Sequence, residues 1–280
     1  ILIGLVGSEM CIRDRSEFVK IIYVFFIASL LAKRTDFKSV AVISIAAAVH
    51  VGILVLEKDL GAALIYFVTY LMMLYVATMK LRYLAAGAFA GTAASVVAYQ
   101  LFAHVRVRVA AWQDPWSNMN QGGYQICQSL FAIGTGGLFG MGLGQGMPKS
   151  VPVVESDFIF SAIAEEMGVI FCIFLILIYI SSFIMFVNIA LKMKKNFYKL
   201  CAFGLSVVLI FQVFLSIGGV TKFIPSTGVT LPLISYGGSS IITTIVIFSI
   251  IQGMYVRNRR EEVTTNEEQA AINRKSGKRQ

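Results

Sequence analysis

Seven apolar runs punctuate this chain: Phe18–Ala32, Val40–Leu56, Leu60–Met79, Leu84–Ala103, Val169–Leu191, Leu200–Gly218 and Leu233–Val256. A hydrocarbon core of roughly 30 Å takes about 20 residues of helix, with tolerance for shorter spans, so each run predicts a membrane-crossing helix. An odd number of crossings puts the two ends of the sequence on opposite sides. Basic residues say which side is which. Lys33, Arg34 and Lys38 follow the first run, Lys80 and Arg82 the third, Lys192, Lys194, Lys195 and Lys199 the fifth, and Arg257, Arg259 and Arg260 the seventh. The alternate connections carry few, so the chain after the seventh run is expected in the cytoplasm and the long loop 105–166 outside. The middle of that loop, Tyr124–Leu143, is apolar but broken by glycines, which predicts re-entrant or interfacial helices.

Composition narrows the class. With 57% hydrophobic and 14% charged residues and a mean hydropathy of +0.77, the chain is an all-α polytopic membrane protein and not one or two soluble domains. A net charge of +9 would suit nucleic acid, but the basic residues sit in short connections between apolar runs, where topology explains them. No nucleic-acid partner is expected. Cys11, Cys127, Cys172 and Cys201 show no metal-ligand spacing and read as buried small hydrophobes. His50 and His104 stand alone and read as packing residues.

Both ends differ from the middle. Residues 1–15, ILIGLVGSEMCIRDR, read as junction sequence foreign to the protein, too short and too charged for a span and without a signal peptide's basic start. Native sequence is expected from Ser16, the gene extending upstream, with a membrane domain over 16–256. Residues 257–280 form a polar tail of mixed charge, lacking aromatics, which predicts disorder.

The candidate chemistry lies in GTGGLFGMGLGQGMPKSVPVVESDFIFSAIAEEMG, Gly134–Gly168, which packs seven glycines into Gly134–Gly146. Such loops usually make turns or allow close backbone approach. Asp157, however, stands directly before Phe158-Ile159-Phe160, where the chain re-enters apolar surroundings and desolvation favours a working base. Glycine-rich backbone beside Lys149 also suggests N–H concavities suited to phosphate oxygens.

Five blocks carry a resemblance: SEFVK at Ser16–Lys20, KDLGAA at Lys58–Ala63, GGYQICQSLFAIGTGGLFGMGLG at Gly122–Gly144, ESDFIFSAIAEEMG at Glu155–Gly168 and STGVTLPLISYGGSS at Ser226–Ser240. In this order, from Ser16 to about Arg260, the chain resembles the SEDS family (shape, elongation, division and sporulation), of FtsW, RodA and SpoVE type. The resemblance implies ten spanning helices with both ends cytoplasmic, seven of them in this chain. Three further helices upstream would leave Ser16 outside, in agreement with the charge count. Arg15 stands where the family has proline, at the point where foreign sequence is expected to end.

The same resemblance implies an activity: a peptidoglycan glycosyltransferase that polymerises lipid II, the undecaprenyl-pyrophosphate-linked disaccharide pentapeptide, on the outer face of the bacterial cytoplasmic membrane. The family's required acid falls on Asp157, the expected general base. Arg106 and Arg108 match the family's arginines before its Asp-Pro element, here Asp114-Pro115, and with Lys149 they are the expected pyrophosphate contacts. Glu165 is a further candidate substrate-binding residue, while Glu166 is expected to cap a helix. A divalent cation, magnesium or manganese, could bridge pyrophosphate and carboxylate, though no closed metal-ligand set is present in the sequence. Implied partners are a class B penicillin-binding protein transpeptidase and other membrane proteins of the division or elongation machinery. Ser235–Ser240 is expected to help helices pack and is assigned no chemistry. Asp59 and Gly61 alone keep the family pattern at their turn. Thr230 before Leu-Pro is more like division or sporulation members.

Two other classes compete with this reading. A lipid II flippase would also be polytopic with charge near broken helices, but the charged cluster lies in a loop and not at the bilayer midplane. A purely structural partner of the transpeptidase would make no bond at all. Polymerisation of purified lipid II separates the three.

Overall fold

Two aspartates begin helices at opposite ends of the bundle. Asp36 accepts hydrogen bonds from the Ser39 amide and hydroxyl at the start of α2 (Phe37–Leu56), and Asp59 accepts from the Ala62 amide at the start of α3 (Leu60–Thr78). Each side chain thereby satisfies an otherwise orphaned N–H at a helix start. Between α2 and α3 the chain reverses in three residues, 57–59, with Lys58 held at φ 64°. Asp59, which keeps the family pattern at its turn, is a helix cap.

The structure is a computed structural model that describes residues 2–33 and 36–276, with side chains described for 16–33, 36–120, 122–148 and 150–264. Among these residues it is all-helical: α1 (Leu2–Leu31), α2, α3, α4 (Leu81–Leu101), α5 (Ala103–Gln113), α6 (Gly123–Gly136), α7 (Ile159–Lys192), α8 (Asn196–Val220) and α9 (Gly238–Ser276). Six of them, α2, α3, α4, α7, α8 and α9, are long and apolar enough to cross a membrane. At 1.5 Å per residue the 20 residues of α2 span about 30 Å. The first apolar run forms the second half of α1, whose side chains are described only from Ser16. Apart from its helical backbone, the expected foreign segment 1–15 lies outside the described residues.

The seven runs therefore fall on seven helices, with shifts at the ends that backbone chemistry explains. The fourth run stops at Phe102, an extended residue (φ −105°, ψ 113°) that separates α4 from α5. The seventh, from Leu233, begins in a turn and bend through residue 236 and becomes helical only at Gly238. The tail expected to be disordered instead continues α9 to Ser276, so the polar segment extends a helix already nucleated in the apolar run.

At the centre stands α8, which packs against α7, α3, α1 and α9. Lipid is as apolar as leucine, so close backbone approach and polar contacts hold such helices together. Gly204 of α8 shows this: a Cβ there would stand 2.6 Å from the Met73 sulfur and 2.8 Å from Val24. One apolar core gathers α1, α2, α3, the end of α7, α8 and α9 around Ile27, Met73, Leu205 and Ile251, while a second joins α6, α7 and α8 to the segment before α7 through Val151 and Phe158 and to the α8–α9 connection through Leu231. In contrast, α4 buries none of its residues and meets α3 where Gly87 and Gly91 face Leu71 and Phe67.

Candidate active site

The helix that follows Asp157 is broken, and the break explains the glycine run. Within α7, Gly168 takes φ 81° and ψ 172°, leaving orphaned carbonyls before it and orphaned N–H groups after it. The glycine loop meets both sets. Met141 and Gly142 donate their amides to the Glu165 and Glu166 carbonyls at 2.9 and 3.0 Å, while Val169 and Ile170 donate theirs to the Gly137 and Leu138 carbonyls at 3.0 and 3.3 Å. This approach admits no side chain: a Cβ on Gly140 would lie 2.2 Å from the Glu166 carbonyl oxygen, and one on Gly168 2.4 Å from the Gly140 nitrogen.

Glu165 and Glu166 complete the seam with their side chains. Glu165 Oε1 accepts the Met147 amide at 3.0 Å, and Glu166 Oε1 accepts the Gly144 amide at 3.2 Å. The Glu165 side chain is buried, with Oε2 unpaired among the described residues. The loop N–H groups expected to cradle phosphate are thus directed, at Met141, Gly142, Gly144 and Met147, onto these two glutamates. Helix capping at Glu166 is likewise replaced by a bond to the loop, because the residue precedes the break at Gly168 and does not start a helix.

Asp157 is half-buried at the end of the irregular segment 151–158, between buried Val154 and Phe158 and just ahead of α7. Its position is fixed by the connection between α8 and α9. Ser235 Oγ donates to the Ser156 carbonyl at 2.5 Å and accepts the Leu231 amide at 2.7 Å, and the Tyr236 amide donates to the Glu155 carbonyl at 2.7 Å. Buried Ser235, expected only to pack, is therefore the bridge that holds the residue before Asp157.

Arg108 reaches the same connection from the other side, its guanidinium donating to the Ser226 carbonyl at 3.2 Å, while the Trp112 indole donates to the Lys222 carbonyl at 3.0 Å. Arg106 is solvent-exposed on α5, and the Lys149 side chain lies outside the described residues. Asp157 and Arg108 are thus tethered to one connection, 221–237, whereas Glu165 belongs to the glycine seam. Near Arg108, His104 has its pKa lowered by burial first and then by the charges of Arg108 and Lys58. Asp114, which closes α5, is held below the usual carboxylate range by hydrogen bonds from Ser117.

A polar network escaped the sequence reading. Lys20 on α1 is buried and donates to Glu17 and, at 2.7 Å, to Gln212 on α8. Gln212 donates to the Thr230 carbonyl at 3.2 Å, Thr230 Oγ1 donates to Ser240 at 2.9 Å, and Thr243 donates to Glu17 at 3.1 Å. This network joins α1, α8 and α9 to the connection that holds Asp157. The available signal was a glutamate directly before the first apolar run and a lysine inside it, since ionisable groups inside membrane helices mark functional interiors by default. Among the described residues no group of three or more His, Cys, Asp or Glu converges on a metal position. A cation bridging pyrophosphate and Asp157 would meet no closed set of such ligands among the described residues.

Apolar helices around a buried polar interior, with a carboxylate on an irregular segment at one end, define a multi-pass membrane protein. The model of the FtsW, RodA and SpoVE family of cell cycle proteins matches residues 13–260, and the chain belongs to that family. It is 39% identical over 267 residues to the peptidoglycan glycosyltransferase RodA of Mycobacterium leprae, covering 88% of this chain and 57% of that protein. To the probable peptidoglycan glycosyltransferase FtsW of Geobacter sp. strain M18 it is 32% identical over 262 residues, covering 87% and 68%. The chain thus spans little more than half the length of its mycobacterial relative.

Solved structures agree in fold. A chain from a peptidoglycan synthase complex, described as structurally coordinating polymerization and crosslinking, superposes with a TM-score of 0.73 at 26% identity, covering 87% of this chain and 70% of that one. An aspartate-to-alanine variant of the rod shape determining protein RodA from Thermus thermophilus gives 0.59 at 25% identity, covering 87% and 65%.

Proposed function

We propose that this chain is the catalytic portion of a peptidoglycan glycosyltransferase that polymerises lipid II, with Asp157 as general base. The observation that carries the reading is the placement of Asp157. Half-buried Asp157 lies on an irregular segment whose preceding backbone, at Glu155 and Ser156, is held by Tyr236 and Ser235 at the end of a helical bundle. Its family includes relatives named as peptidoglycan glycosyltransferases.

In this reading Asp157 accepts the proton of the acceptor sugar's hydroxyl as that oxygen attacks the donor's anomeric carbon. A new carbon–oxygen bond forms, the bond to the pyrophosphate oxygen breaks, and undecaprenyl pyrophosphate departs with the electron pair. The departing charge needs stabilisation and not protonation, which Lys149 and the exposed Arg106 supply, with Arg108 held at the connection through Ser226. Glu165 acts behind them by holding the glycine loop.

Seven helices of the chain cross the membrane as part of a ten-helix fold, α1 being the seventh. The Asp157 end faces outward and α9 continues into the cytoplasm, as the basic residues argue. The partner is a class B penicillin-binding protein, supported by the similarity to a chain of a peptidoglycan synthase complex. One observation favours the flippase alternative, namely buried Lys20 paired with half-buried Glu17 inside the bundle, where transported charge would pass.

The deciding experiment is polymerisation of purified lipid II by the full-length protein carrying Asp157→Asn, which keeps size and loses the base. The rate should fall by roughly 10²-fold or more, with lipid II binding retained and Glu155→Gln costing much less. A parent-like rate for the Asn variant would remove Asp157 as base, and lipid II translocation without polymerisation by the parent would favour the flippase.

A further inference from the structure

The peptide group between Thr230 and Leu231 is held from both ends. Its carbonyl accepts the side-chain amide of Gln212 on α8 at 3.2 Å, and its N–H donates to Ser235 Oγ at 2.7 Å. Ser235 in turn donates to the Ser156 carbonyl at 2.5 Å, one residue before Asp157. The orientation of Gln212 is set from behind. Lys20, paired with Glu17, is an ammonium with donors only, so the Gln212 carbonyl faces it at 2.7 Å and the NH2 group must face Thr230. That NH2 also lies 3.5 Å from Thr230 Oγ1. One path of hydrogen bonds therefore runs from the interior of the bundle, through a single peptide plane, to the backbone beside the carboxylate. Bonds at the two ends of a peptide group polarise it and strengthen one another.

We propose that Gln212 is a positioning residue for Asp157, an inference that rests on Asp157 being the general base. Gln212 is 1% exposed and offers substrate no surface, so it acts only through the groups it touches. A polar side chain that joins membrane helices needs a partner on another helix, and Lys20 on α1 already supplies one. The NH2 group goes instead to residues 225–231, which have no regular structure and hence no helical partners for their backbone. A buried helix thus sets the plane of the Thr230–Leu231 peptide. Without Gln212 the Thr230 carbonyl loses its donor, the peptide can rotate, and the Leu231 N–H turns away from Ser235. Ser235 then holds Ser156 from an unanchored connection, and the Asp157 carboxylate shifts relative to the hydroxyl it deprotonates.

The test measures kcat and KM for lipid II polymerisation by the full-length protein. Gln212→Met keeps side-chain length and removes both bonds. Its kcat should fall about 10- to 100-fold, the scale on which misplacing a reacting group by about 1 Å acts, with KM at the parent value. Leu205→Ala, a destabilising change in the core of the same helix, should keep kcat per folded molecule. In the Ser235→Ala and Asp157→Asn backgrounds Gln212→Met should lower kcat no further, because each of those changes has already interrupted the path. A parent kcat in Gln212→Met, a loss confined to KM, an equal kcat loss in Leu205→Ala, or losses that multiply in the double variants would each overturn the proposal. A parent rate in Asp157→Asn would remove the base assignment and the positioning role with it, whereas a slow Asp157→Asn beside a normal Gln212→Met rejects the positioning role alone. If Gln212→Met does not fold, Gln212→Asn decides. It stays polar but is one methylene too short to meet both Lys20 and Thr230, so kcat should still fall at unchanged KM, and a parent kcat overturns the proposal.

Discussion

The Glu165 carboxylate accepts the Met147 amide at 3.0 Å, so the helix that follows Asp157 and the end of the glycine loop are joined through a buried side chain. Glu165→Ala leaves that amide without its acceptor and opens space beside Gly146, whose Cβ position lies 2.9 Å from the Glu165 carboxyl carbon. Loss of a buried hydrogen bond to a charged group should cost about 1.5–3 kcal/mol. Glu165→Gln keeps a carbonyl oxygen to accept and should cost less. Thermal unfolding of the two variants, with protease sensitivity of the 137–147 loop, checks this, and equal stability of the two would mean the seam does not depend on Glu165.

Ser235 should matter to Asp157 without touching substrate. Removing its hydroxyl strands the Leu231 amide and the Ser156 carbonyl, a cost of about 1–3 kcal/mol for each buried group left unpaired. Ser235→Ala is therefore expected to destabilise the protein and to lower the polymerisation rate at saturating lipid II, while Ser235→Thr, which retains a hydroxyl, recovers part of both. A normal rate in a destabilised Ala variant would separate the bridge from the reaction.

Two glycines of the same motif should respond in opposite ways to alanine. Gly168→Ala places a Cβ at φ 81° and ψ 172°, a region open essentially to glycine, and against the Gly140 nitrogen, at about 1–3 kcal/mol for the backbone alone with overpacking added. Gly134→Ala adds a methyl in open space within α6 and should stabilise that helix by up to about 1 kcal/mol. Membrane-extracted yield and thermal midpoint measure both, and similar behaviour of the two would contradict the seam.

Acid should loosen the α5 region. The His104 pKa is lowered in the folded protein by burial and by Arg108 and Lys58, so between the folded and unfolded values the unfolded chain binds more protons. Stability from this residue is present above the ordinary histidine range and is lost as pH falls through it toward the folded value. Thermal midpoints from pH 7.5 down to 5 should show a decline that His104→Gln reduces, and an unchanged slope in the variant would assign the decline to other groups.

The sequence by itself determined the membrane class, because apolar runs long enough for a bilayer need no tertiary partner to be read: α2, α3 and α8 start or stop within a few residues of their predicted runs. Five ordered blocks pointed to the family, and the position of Asp157 before Phe158-Ile159-Phe160 marked the candidate acid through local context. Tertiary structure decided what the glycines, serines and other acids do. Gly168 breaks a continuous apolar pattern only because the Gly137–Gly142 backbone arrives to satisfy the exposed groups, a pairing set by chain path and invisible to periodicity. Ser235 meets Ser156, and Lys20 meets Gln212, across 79 and 192 residues of sequence. Local patterns record how each residue partitions between lipid and water, while hydrogen-bond partners so far apart are chosen only when the packed helices bring them within 3 Å.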